Sequence, residues 1–164
     1  MISLAQPSQL ESINRIYNQA VRDGFRTAHS QPVDINYRHE WFSRHPEECY
    51  PVFVYLEEDE VAGWLSVSAY RPGRQALNEV VEVSYYVDYN HQNRGIATQL
   101  MKQAVAFSTN QNYRILVAIL LTKNAPSIRL LEHFGFEEGG RIPDAYHHQD
   151  EFRDHLYFYK RLDT

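Results

Sequence analysis

From Val80 to Val87 the chain reads Val-Val-Glu-Val-Ser-Tyr-Tyr-Val, a β-branched and aromatic run with the character of a central strand. A polar turn follows, Asp88-Tyr89-Asn90-His91-Gln92-Asn93-Arg94-Gly95. Beyond Gly95 the period changes: Ile96, Ala97, Leu100, Met101, Ala104, Val105 and Ser108 form one helical stripe. Arg114 to Leu121 is then almost continuously apolar, as expected of a strand covered on both faces. Strand, helix and strand at this spacing make a βαβ unit, which commits the chain to a mixed α/β architecture.

The flanking sequence fills in the rest. Met1 to Ala5 is apolar enough for a first strand. Ser8 and Glu11 read as a capping box for a helix whose inner face carries Leu10, Ile13, Tyr17, Ala20 and Val21 and which Gly24 ends. A shorter helix is expected over Ile35 to Ser43, capped by Asp34, with Trp41 and Phe42 turned inward. Pro51–Leu56 and Val61–Ala69 read as strands joined through the acidic tip Glu57 to Glu60. Asn124 and Pro126 open a further helix, which Gly135 stops. Phe152 to Leu162 reads as a single final strand. The predicted order is βααβββαβαβ: one domain over residues 1–164, built on a single mixed, mostly antiparallel twisted sheet with helices on both faces.

Composition narrows the function. A net charge of −5 with a pI near 5.9 argues against a basic nucleic-acid surface. No apolar run reaches the ~20 residues of a membrane-spanning helix, and the first residues lack a secretory signal pattern. The one cysteine, Cys49, can form neither an internal disulfide nor a cysteine-rich metal site. The expectation is a cytoplasmic protein with no nucleic-acid or membrane partner. The eight histidines are scattered, and the adjacent pair His147 and His148 cannot face one ligand from a regular element, so no metal site is expected.

The turn before the long helix carries the chemistry. A helix N-terminus offers unpaired N–H groups and the positive end of a dipole, and small residues there let a phosphate approach the backbone. Gly95 and Ala97 supply the small residues and Arg94 a charge. The G-K-[ST] ending of a Walker loop is absent, as is the dinucleotide pattern G-x-G-x-x-G. On this chemistry alone an ordinary glycine-capped turn stays open, as does a nucleotide-phosphate site. The segment Gln92-Asn93-Arg94-Gly95-Ile96-Ala97, directly after an apolar strand, resembles the acetyl-CoA signature of the GNAT N-acetyltransferases. Downstream, Asn124, Ser127, Leu130 and Phe134-Gly135-Phe136 are similar to the family's pantetheine-contacting segment. Gly24-Phe25-Arg26-Thr27, Arg74-Gln75-Ala76 and Val81 to Val87 resemble the phosphinothricin acetyltransferase branch, and Tyr146, His148 and Asp154 fit it loosely.

The resemblance implies an enzyme that moves an acetyl group from acetyl-CoA to the amine of a small amino-acid-like acceptor, of the phosphinothricin or methionine sulfoximine type, by direct attack in a ternary complex. It implies that Tyr85, Tyr86, Val87, Gln92, Asn93, Arg94, Gly95, Ile96, Ala97, Thr98 and Asn124 meet the cofactor. It makes Glu82 the general base, since a carboxylate inside an apolar strand is costly unless it is paired or faces a polar cleft. An outward-pointing Glu on a strand edge is the alternative for that position. The family's catalytic strand also splays from its neighbour, exposing a main-chain N–H to the thioester carbonyl. Leu131 stands where many members carry the Tyr that protonates the leaving thiolate, which leaves the general acid unassigned. For the acceptor, Arg74 is the first choice as carboxylate ligand, Arg26 the second, and Phe25 an apolar wall. A homodimer is expected, because Phe152, Tyr157, Phe158 and Tyr159 exceed what one strand's buried face needs. An acetyltransferase for protein N-termini or aminoglycosides, and a catalytically weak acyl-CoA sensor, are the other readings.

Overall fold

The computed structural model describes residues 1–162. In chain order the elements are β1 (Ile2–Leu4), α1 (Leu10–Asp23), α2 (Ile35–Ser43), β2 (Val52–Glu57), β3 (Glu60–Ala69), β4 (Val80–Val87), α3 (Ile96–Asn110), β5 (Ile115–Leu121), α4 (Ala125–His133), β6 (Glu137–His148) and β7 (Glu151–Arg161). The strands form one sheet in the order β1-β2-β3-β4-β5-β7-β6. Every pairing is antiparallel except β4 with β5, which flank α3 as the βαβ unit requires.

Alternation along the strands sorts the two faces. On one face, Leu65 and Val67 of β3 and Val81 and Val83 of β4 pack against Ile96, Leu100, Met101 and Ala104 of α3 and Leu131 of α4. On the other, Val52, Val54 and Trp64 pack against Leu10, Ile13, Ile16 and Tyr17 of α1. The second face turns polar along β3 and β4, where Ser66, Ser68, Glu82 and Ser84 follow Trp64 and Tyr86.

Two expectations are corrected. The Ser8–Glu11 capping box does not form. Ser8 lies inside a 3₁₀ turn, Pro7–Gln9, and Gln9 Oε1 accepts from the Gln6 N–H at 2.8 Å, so α1 starts at Leu10. The Pro at position 7 favours a tight first turn ahead of the helix proper. The tail is a hairpin rather than a single strand, because β6 precedes β7 and forms the sheet's outer edge. Gly139-Gly140 and Pro143 hide β6 in the sequence. Its pairing slips between Glu138 and Gly140 and again between Ile142 and Tyr146, and such irregularities belong to edge strands. The cap of α2 forms as expected, with Asp34 accepting from the Tyr37 N–H at 2.8 Å.

Candidate active site

The site opens where β4 and β5 separate. They pair only through Val80–Glu82 and Ile115–Val117, while β4 stays paired with β3 as far as Val87. Past Glu82 the β5-facing side of β4 has no strand partner. A small cavity fills the gap, walled by Val83 to Tyr86 on one side and Ala118 to Leu120 on the other, with Leu131 beneath.

On the α3 side of this opening lies a cavity of about 270 Å³. Asn93 and Gly95 both adopt left-handed backbone conformations, with φ of 62° and 74°. They turn the chain into α3, whose first residues, Ile96, Ala97 and Thr98, line the cavity. The first helical bond runs from the Gln99 N–H to the Gly95 carbonyl, so helix geometry leaves the N–H groups of Ile96, Ala97 and Thr98 without intrahelical acceptors. A Cβ on Gly95 would meet no protein atom within 4 Å, which marks open space over the helix end. Of the residues that the resemblance assigns to the cofactor, Tyr85, Tyr86, Val87, Gln92, Asn93, Gly95, Ile96, Ala97, Thr98 and Asn124 line this cavity. Asn124 is held there as the cap of α4, its Oδ1 accepting from the Ser127 N–H at 3.4 Å. Arg94 is outside the lining; its guanidinium reaches both carboxylate oxygens of Glu57 at 3.2 Å.

On the α1 and α2 side lies a second cavity, of about 490 Å³, with Glu82 in its wall. Ser68 sits directly across from Glu82 on β3. No cation or hydrogen-bond donor among the described residues reaches the Glu82 carboxylate, and burial alone pushes its pKa up to about 7. The two cavities share Arg26 and Tyr86 as lining residues, so they meet at the splayed strand. Arg26 donates to Asp23 at 2.8 Å and lies over the rings of Phe25 and Tyr89 at 5.1 and 5.3 Å. Burial raises the Tyr85 phenol to about 12, and its hydroxyl contacts the Ser127 carbonyl at 3.5 Å.

Arg74 is not brought to this site. It lies in the loop Arg71–Glu79, which is exposed throughout, and it lines neither cavity. Phe25 supports Arg26 rather than walling the cavity itself. His147 stacks on Phe152 at 4.5 Å, and His148 closes over Gly24, where an added Cβ would meet its ring at 2.6 Å; Cys49 lines neither cavity. The residue that sequence reasoning missed is Arg38. It lies 2% exposed in the second cavity's wall, ringed by Tyr17, Trp41 and Trp64. Its signal was its place three and four residues before Trp41 and Phe42, on the inward face of α2.

The site is thus a splayed parallel strand pair with a glycine-led helix N-terminus on one side and a half-buried carboxylate on the other. Residues 11–136 match the acetyltransferase (GNAT) family. The chain therefore belongs to the GNAT family of acetyltransferases. It is 36% identical over 143 residues to YwnH of Bacillus subtilis (strain 168), covering 87% of this chain and 86% of that one. It is 31% identical over 139 residues to an L-methionine sulfoximine/L-methionine sulfone acetyltransferase of Pseudomonas aeruginosa, covering 84% and 80% of the two chains. Among solved structures, a GNAT superfamily phosphinothricin acetyltransferase from Sinorhizobium meliloti, in complex with acetyl-CoA, superposes with a TM-score of 0.93 at 27% identity, over 99% of this chain and 88% of that one.

Proposed function

We propose that this enzyme transfers the acetyl group of acetyl-CoA to the amine of a small amino-acid-like acceptor, by direct attack with both substrates bound. The observation that carries this reading is the position of Glu82. It stands at the last paired residue before β4 and β5 part, with an open helix N-terminus on one side and an acceptor-sized cavity on the other. The N–H groups of Ile96, Ala97 and Thr98 suit the pyrophosphate, and Asn124 and Tyr85 the pantetheine arm. Acetyl-CoA supplies the acyl group as a thioester. The main chain of β4 past Glu82 supplies donors for its carbonyl oxygen. Glu82 takes the proton that the amine loses on attack, and a pKa near 7 lets a carboxylate do this at neutral pH.

Arg26, at the junction of the two cavities, borders the acceptor's reacting end. A cytoplasmic setting and a homodimer belong to the same reading. The acceptor class draws support from the named activities of the relatives. A thiol-release assay with acetyl-CoA across a panel of amines tests it. Turnover is expected with L-methionine sulfone, L-methionine sulfoximine and phosphinothricin, and at least ~10-fold less with peptide N-termini or aminoglycosides, which outsize a ligand cavity of this class. Release of no thiol with any α-amino-acid analogue would remove the acceptor class.

A further inference from the structure

Arg38 is a buried cation without an anion. Its side chain is almost fully enclosed, and among the described residues no carboxylate lies within 4 Å of it. Its Nε donates to Asn14 Oδ1 at 3.3 Å. Asn14 is oriented for that contact, because its own amide donates to the Val33 carbonyl at 3.0 Å. The Nη2 atom is buried and has no acceptor. Aromatic rings stand around the guanidinium: Trp41 at 4.5 Å, Tyr17 at 4.6 Å, Trp64 at 5.5 Å and Tyr37 at 5.9 Å. Ring faces attract a cation, but they do not accept the in-plane N–H bonds of a guanidinium fork. A buried charge lacking its hydrogen-bond partners is destabilising, so a protein keeps one where a ligand supplies the missing acceptor. Arg38 lines the cavity that also holds Glu82. Arg26, by contrast, is already paired with Asp23.

We propose that Arg38 is the acceptor's anion site: its guanidinium binds the carboxylate of the incoming amino acid within the aromatic ring of residues, while the amine is presented to Glu82. This rests on the acceptor class proposed above and adds the residue that reads its charge. Guanidinium and carboxylate match as a two-bond fork, which an ammonium cannot reproduce.

The site contains its own reporter, because Trp41 and Trp64 are the chain's only two tryptophans and both flank Arg38. The experiment is a tryptophan-fluorescence titration of the CoA-bound protein with L-methionine sulfone, and with 3-(methylsulfonyl)propylamine, the same molecule without its carboxylate. Wild type should respond saturably to the sulfone and bind it at least ~10-fold more tightly than the amine, as expected for a charged fork. Arg38→Met should lose that preference, weakening the sulfone ~10-fold or more and leaving the amine unchanged. Replacing an unpaired buried charge by an apolar side chain is compatible with folding. Should Arg38→Met not fold, Arg38→Lys decides: it weakens the sulfone roughly three- to tenfold, through loss of the fork, and spares the amine. Wild type without a preference for the sulfone, or variants in which both ligands change equally or neither changes, would overturn the proposal. Binding is read without turnover, so a carboxylate that seats on Arg38 but is not acetylated counts against the transfer reading alone.

Discussion

At Glu82 a single residue carries a pH-dependent stability cost. Burial lifts its carboxyl from the ordinary 4.5 to about 7 with no compensating partner. The folded state thus holds its proton more tightly than the unfolded chain does. The resulting stability is fully present below about pH 4.5 and is lost as pH rises through about 7. Glu82→Gln removes the ionisation and should therefore stabilise the fold at pH 8 by roughly 1–3 kcal/mol, with a much smaller effect at pH 5. Urea unfolding of both proteins at the two pH values checks this, and a difference independent of pH would mean that Glu82 is well solvated. The same residue was legible in the sequence as a carboxylate out of place in an apolar strand. The arginines were legible only in part: Arg26, the second choice from sequence, lines both cavities, while Arg74 lines neither and Arg38 went unnoticed. Arg74 precedes the strand bearing Glu82, yet its loop stands out in solvent, whereas Arg26 and Arg38 reach the cavities through the folding of α1 and α2 over the sheet. Chain order shows which loop feeds a strand but not which side chain comes to overhang it.

At the scale of elements, β4 and the start of α3 form one device. The strand ends in a turn whose left-handed Gly95 releases α3 with its first N–H groups exposed to the cavity. Gly95→Val adds a β-branched side chain at a φ of 74°, where such residues are strained, and fills the space over the helix end. CoA affinity measured by calorimetry should fall ~10-fold or more, since a helix-terminal anion site depends on close approach. Gly95→Ala, with the same backbone strain and less bulk, should fall between. Unchanged CoA binding in a folded Gly95→Val would place the pyrophosphate elsewhere. This device was the most legible part of the sequence, because period, turn and glycine agree there. The splay of β4 from β5 had no sequence signal of its own, since a strand's composition does not record where its pairing stops. Strand β6 escaped for a related reason: an edge strand exposed along most of its length, with only Tyr146 buried, has little need to alternate.

The whole molecule presents an unbalanced sheet. At one edge β1 is three residues long; at the other, β6 runs for twelve residues and is exposed along most of its length. Ile142 on β6 is 49% exposed and Phe152 on β7 is 59% exposed. A long exposed edge with apolar side chains suits pairing or packing with a second copy, which is the proposed homodimer. Light scattering should give a mass near twice 19.3 kDa, and Phe152→Asp should shift it toward the monomer. A single 19.3 kDa species in the unaltered protein would contradict the dimer.

The central claim is that a half-buried Glu82 removes the proton from an amine poised beside the splayed strand. The pH dependence of kcat/KM for L-methionine sulfone, measured for wild type and Glu82→Gln, tests it most directly. Beyond the acceptor's own titration, which both proteins share, wild type should lose activity as pH falls through about 7, where Glu82 becomes protonated. Glu82→Gln should lack that inflection and turn over about 10²- to 10⁴-fold more slowly, the range for loss of a general base, with CoA affinity unchanged. A variant within twofold of wild type that kept the same inflection would show that another group takes the proton.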